Sequence, residues 1–347
     1  MRWPIVRTLL AKEVARLAGH RGALALIGLL AAAALLLRAA GPPAVDTCWI
    51  DYWEDGPWIR GLRASLPPEL RRLVRFRPVA DAPVDGAGIL QYGLTEGAIQ
   101  LRPLPPAADR PRVKVWVWYP GDDPAALAAV EDWFWRAARE GTAAPELVVE
   151  RSPLRGLDVR RAAAAGLVLF AVFFVCVCML PAVACEEKER GTWAAQTLTP
   201  ATAADAVAAK ALCYVPTAAA LAIVLAGLAR PAVWAEPFFW PAVAVAAVGA
   251  FGLGITIAAL APTQRAAGIG ALGYAVAAAV VVAACRRLGV SVVPALMLEA
   301  HVPANVFAAV AGDVLPGQWR DLAVTAGLAA AWVVTGTALV CRRWRPT

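Results

Sequence analysis

Six long apolar runs dominate the chain, each bounded by charge or by a turn. They are Gly22–Leu37, Ala162–Ala184, Ala211–Ala229, Phe238–Ala261, Ala266–Cys285 and Leu322–Val340, and none contains a charged residue. A helix needs about 20 apolar residues to cross the hydrocarbon of a bilayer. Within that hydrocarbon the backbone must hydrogen-bond to itself, so each run is expected to be helical. Two shorter apolar stretches, Leu288–Leu298 and Val302–Ala311, lie between the last two runs, with Pro294, Pro303 and Pro316 punctuating them. Too short to cross, they predict interfacial or re-entrant helices on the outer side, within residues 286–321.

Residues 41–158 follow another pattern, rich in proline, charge and tryptophan. In Val113–Tyr119 the valines and Tyr119 alternate with Lys114, Trp116 and Trp118, the period of two that marks a strand. Ala98–Arg102 and Glu146–Glu150 read as further strands. Asp123 can cap a helix begun by Pro124 and running to about Arg139 through Leu127, Val130 and Phe134. The cluster Trp49-Ile50-Asp51-Tyr52-Trp53-Glu54-Asp55 reads as an aromatic belt at the membrane interface, with a substrate grip at an exit mouth as the other reading.

The expected fold class is therefore an all-α polytopic membrane protein with six transmembrane helices and an α/β extracytoplasmic insert between the first and second spans. Its divisions are a cytoplasmic amphipathic helix (1–21), the first span (22–40), the insert (41–158), and spans two to six (159–347), with a loop at 185–210 and the outer region 286–321. Composition agrees. Hydrophobic residues make up 60% of the chain and mean hydropathy is +0.60, against the roughly 45–50% apolar share of soluble domains. The net charge of +7 sits mainly at the ends of the runs, beside a membrane, and calls for no nucleic-acid partner.

Charge placement also orients the chain. Arg2, Arg7, Lys12, Arg16 and Arg21 precede the first run against Glu13 alone, and Arg342, Arg343 and Arg345 follow the last. Both termini are expected in the cytoplasm by the positive-inside rule, which an even number of spans satisfies. Arg286 and Arg287 then fall outside, against the rule. A signal peptide ending near Ala39 and Ala40 is the other reading of the first run; the long basic lead and Arg38 favour a retained span, with the mature protein beginning at or near Met1. Of seven cysteines only Cys48 lies in the insert, so that domain has no internal disulfide, and Cys48 is expected to be open to labelling from outside. The remaining cysteines lie in or beside apolar runs, where the residue usually serves as a small hydrophobe. A metal or redox role for Cys176 and Cys178 is the alternative.

After the second run comes a charged stretch, Cys185-Glu186-Glu187-Lys188-Glu189-Arg190-Gly191-Thr192-Trp193, then Leu198-Thr199-Pro200, and later Lys210. It reads as a helix end broken at Gly191 and restarted with Thr192 as N-cap, with Thr199 and Pro200 setting up the next helix. An ordinary solvated loop would share this composition.

In this stretch the chain resembles the type-2 ABC exporter permeases, which place Glu-x-x-x-Arg-Gly-Thr after the second span, then Thr-Pro or Ser-Pro, then a lysine entering the third. Glu186, Arg190, Gly191, Thr192, Thr199, Pro200 and Lys210 occupy the matching positions. The family's acidic residue soon after Gly-Thr is replaced by Trp193 and Ala194. The resemblance implies that about Glu186 to Leu198 forms a coupling helix docked on a separate ATPase, and that the permease pairs with a second copy or a paralogue. It further implies alternating access in a bacterial inner membrane, with ATP and Mg bound in the partner and no cofactor in this chain. Arg7–Glu13 looks like the family's elbow helix, with Trp3, Val6, Leu10, Val14 and Leu17 on one face and Lys12, Glu13, Arg16 and His20 on another. Gly249, Gly252, Gly254, Gly268, Gly270 and Gly273 would permit close helix contact, or simply reflect how common glycine is in membrane helices.

Two other classes remain in view. Glu186-Glu187 with Arg190 approaches the Glu-Glu-x-x-x-Arg pattern of intramembrane proteases, one residue short, and the chain has only His20 and His301 to ligate zinc. A membrane-anchored sensor or assembly component acting through the insert is the second. ATP binding within the chain is excluded: its four lysines are followed by Glu, Val, Glu and Ala, whereas a P-loop needs Lys before Ser or Thr.

Overall fold

The computed structural model describes residues 2–39, 46–81, 96–107, 110–118, 125–140, 145–151, 159–312 and 314–344. Two compact units emerge: residues 1–39 with 163–347, and residues 40–162. Tyr119 and the expected helix cap, Asp123 with Pro124, lie outside the described residues.

The first unit opens with α1 (Trp3–Gly19) and α2 (Arg21–Ala39), the latter long and apolar enough to cross a membrane. The second unit is a five-stranded sheet of order β2-β1-β3-β4-β5. Its strands are β1 (Thr47–Tyr52), β2 (Val74–Pro78), β3 (Glu96–Ala107), β4 (Arg110–Trp118) and β5 (Glu146–Arg151), with helices α3 (Pro57–Ala64) and α4 (Ala125–Glu140). All neighbours run parallel except β3 and β4. Alternation decides which side each residue takes. Cys48, Ile50, Val74, Ile99, Leu101, Val115 and Val117 form one buried face, covered by Ile59 and Leu62 of α3 and by Leu127, Val130 and Phe134 of α4. On the other face Asp51, fully buried, sits opposite Arg77, whose guanidinium donates to both carboxylate oxygens at 2.8 and 3.2 Å.

Two expectations fail in this unit. The Trp49–Asp55 cluster is not an interfacial belt: Thr47–Tyr52 is an inner strand whose Ile50, Asp51 and Tyr52 are buried. Its period was hidden because an aspartate and aromatic residues occupy both faces. Cys48 is fully buried rather than open to reagent. Burial, with the Asp51 and Glu131 carboxylates adding, pushes its thiol up to about 12.

The remaining chain completes the membrane unit. α5 (Val159–Phe173), a wide π-helical turn (Phe174–Met179) and α6 (Leu180–Glu189) form the second span, and α7 (Thr192–Thr197) follows. Then come α8 (Ala203–Ala229), α9 (Phe239–Leu260), α10 (Gln264–Arg287), α11 (Val292–Ala295), α12 (Leu298–Ala311) and α13 (Gln318–Trp344). Six helices among the described residues are long and apolar enough to cross a membrane, matching the six runs. Helices two and three extend further than hydropathy suggested, carrying Glu186–Glu189 at one end and Asp205 and Lys210 at the other. The loop between them thereby shrinks from 185–210 to 190–202. Gln264 already begins α10, where the Thr263 hydroxyl accepts the Ala266 amide at 3.1 Å.

Span four is the hub. A Cβ added to Gly254 would fall 1.9 Å from the Cys176 carbonyl, and one on Gly252 would fall 2.6 Å from the backbone of Val333. Gly249 is similarly close to Leu298. Gly252 and Gly254 let helices touch backbone to backbone and Gly249 makes room for a side chain, whereas Gly268 and Gly273 in span five have open space around them. Pro216 interrupts the α8 ladder, and the neighbouring Thr217 hydroxyl donates to Cys213 O at 2.7 Å. Of the two short stretches, the first holds only the single turn α11, while the second begins earlier than expected, at Leu298. α12 reaches in between the spans: Leu298 meets Gly249 and Glu299 bonds Tyr274, both near the middle of their helices.

Candidate functional site

The charged stretch folds as two helices meeting at a sharp corner. Gly191 takes φ +69°, a left-handed conformation that costs an L-residue about 1–2 kcal/mol. Gly191, not Thr192, is the N-cap of α7. The Thr192 hydroxyl instead turns back and donates to Glu187 O at 2.9 Å, closing the end of α6. Nor do Thr199 and Pro200 start α8. Thr199 bonds locally, donating to Gln196 O at 2.7 Å, and Thr202 is the N-cap, in a reciprocal capping box with Asp205. That Thr-x-x-Asp signal was present in the sequence. Asp205 also accepts the backbone amide of Arg2 at 3.1 Å, and the Arg2 guanidinium donates to Pro200 O at 3.1 Å.

Beneath this corner lies a buried ion cluster. Lys210 Nζ contacts Glu13 Oε1 at 2.5 Å and Glu187 Oε2 at 2.9 Å, with the three side chains at most 5% exposed. Glu187 Oε1 takes Lys12 at 2.5 Å and Arg16 at 3.0 Å. Glu186 is held by Arg16 at 2.9 Å and by Arg190 at 2.6 Å, and the Tyr214 hydroxyl donates to Glu13 at 3.3 Å. Every carboxylate oxygen of Glu186 and Glu187 thus faces a cation, which leaves neither free to act as the base a protease would need. The cluster ties α1 to the second and third spans across 175 and 197 positions of sequence.

α1 is oriented by this cluster. Val6 and Glu13 are buried, while Trp3 and Val14 from the expected apolar face are exposed. A second group of cations closes the end of span four. Lys188 donates to Ala258 O and, at 3.1 Å, to Ala261 O; Arg343 donates to Ala259 O at 2.5 Å. Cations on the last carbonyls of a helix offset its negative end.

Of the seven residues singled out in sequence, Arg190, Gly191, Thr192, Thr199 and Pro200 lie exposed on the corner. Glu186 is half-buried beneath it and Lys210 fully within the ion cluster. Leu198, between α7 and Pro200, is 90% exposed. Lys12, Glu13 and Arg16 stood out only as one face of α1 and Glu187 only beside Glu186; their pairing with one another, with Lys210 and with Tyr214 was missed, since nothing local marks pairs so distant in sequence.

Six helices of membrane-crossing length, with a braced corner between the second and third, mark a multi-pass membrane protein. Residues 134–279 match the family model described as ABC-2 type transporter, so this stretch is similar to the membrane domain of ABC transporter permeases. No curated protein and no solved structure matches the chain.

Proposed function

We propose that the protein is the permease half of a bacterial ABC exporter, docking a separate ATPase on the corner Arg190–Pro200. In this reading the basic end of the membrane unit is cytoplasmic and the sheet-bearing insert is extracytoplasmic. ATP and Mg bind the partner, and a second copy or paralogue completes the transporter in the inner membrane. The observation that carries the reading is the contrast at the corner. An apolar side chain 90% exposed, Leu198, projects from a segment whose foundation is fixed by ion pairs to three helices. A rigid support under an exposed apolar residue is what transmitting a push requires, because a soft support would absorb the motion.

Co-expression with the cognate ATPase tests it. Leu198→Asp should leave membrane insertion and melting unchanged, yet weaken assembly and ATPase stimulation by the equivalent of about 2 kcal/mol, the scale of an interface hot spot. Gly191→Pro, incompatible with φ +69°, should do the same by reshaping the corner. Wild-type assembly in both variants would refute the docking assignment.

A further inference from the structure

We propose that the membrane unit binds a cationic amphipath, an apolar body carrying an ammonium head, in a cavity where Glu299 supplies the counter-charge. The proposal rests on the permease reading and names the class of molecule its path accepts. The cavity measures about 660 Å³, within the roughly 300–1,000 Å³ usual for small-molecule sites. Phe173 and Val177 of the second span, Leu253 of the fourth, Ala279 of the fifth and Val302 of α12 wall it with hydrocarbon.

One carboxylate enters this apolar chamber. Glu299 lies in the first turn of α12, at the positive end of the helix. Tyr274, also lining the cavity, donates its hydroxyl to Glu299 Oε1 at 2.6 Å. Among the described residues no cation pairs with it. A carboxylate without a counter-charge among apolar helices is expensive and points to function. A positive head would offset that cost while the apolar body covers the walls. An anionic head would be repelled, and a neutral one would leave the carboxylate unpaired, so the same group selects against both.

The test uses the full-length permease without ATPase, in phosphatidylcholine nanodiscs, titrated with tritiated dodecyltrimethylammonium over an empty-nanodisc background. Saturable binding is expected, insensitive to equimolar dodecyl sulfate, weakened at least tenfold by Glu299→Gln, and abolished when Ala279→Trp fills the chamber. Gly268→Ala, in open space away from the cavity, should bind the cation within threefold of wild type. Unchanged affinity in Glu299→Gln, equal competition by dodecyl sulfate, or a tenfold loss in Gly268→Ala would each overturn the proposal. ATPase assembly, assayed separately, keeps the two readings apart. A wild-type permease that assembles and stimulates hydrolysis but binds no cation refutes the cavity site and leaves the permease reading standing.

Discussion

Replacing Lys210 by methionine removes the cation that Glu13 contacts at 2.5 Å, in a cluster whose three inner side chains are at most 5% exposed. Glu187 would keep Lys12 and Arg16. Among the described residues, Glu13 would keep only the Tyr214 hydroxyl at 3.3 Å. The variant therefore buries one uncompensated carboxylate, a defect that costs about 3–5 kcal/mol. At about 2–4 °C per kcal/mol for a unit of this size, the melting temperature should fall by about 6–20 °C. Thermal unfolding of the purified permease, followed by tryptophan fluorescence, reads it. Adding Glu13→Gln to Lys210→Met removes the stranded charge, and a double-mutant cycle should return a coupling of about 2 kcal/mol. If Lys210→Met melts with the wild type, or the two substitutions simply add, the cluster does not hold α1 and the reasoning fails.

Gly254→Ala puts a methyl group 1.9 Å from the Cys176 carbonyl and should destabilise the membrane unit by about 1–3 kcal/mol, while Gly268→Ala, in open space, should be neutral in the same melting assay; equal effects would undo the hub role of span four. Cys48, buried and with its thiol pushed up to about 12, should resist maleimide at neutral pH in the folded protein and react on denaturation, since the thiolate is the nucleophile. Rapid native labelling would show that the sheet packs differently. Topology is better read from a cysteine placed at exposed Glu69 or Arg60 in a Cys48→Ala background, where modification from outside only is the expected result.

Sequence by itself determined what depends on local pattern. Hydropathy located all six spans, because an apolar run in lipid has one backbone solution, the helix. Period-two alternation found β4, the short stretches Ala98–Arg102 and Glu146–Glu150 fell within β3 and β5, and the Glu-x-x-x-Arg-Gly-Thr stretch located the corner between spans two and three. Tertiary structure decided everything carried by partners far apart in the chain. It turned the Lys12–Glu13–Arg16 face of α1 inward, because those charges meet Glu186, Glu187 and Lys210 there. It separated the glycines that touch backbone from those that merely sit in a helix, and joined Glu299 to Tyr274 within one cavity. The reason is physical: helix propensity and apolar length are properties of a segment. A buried charge is stable only through its counter-charge, and no window of sequence contains both.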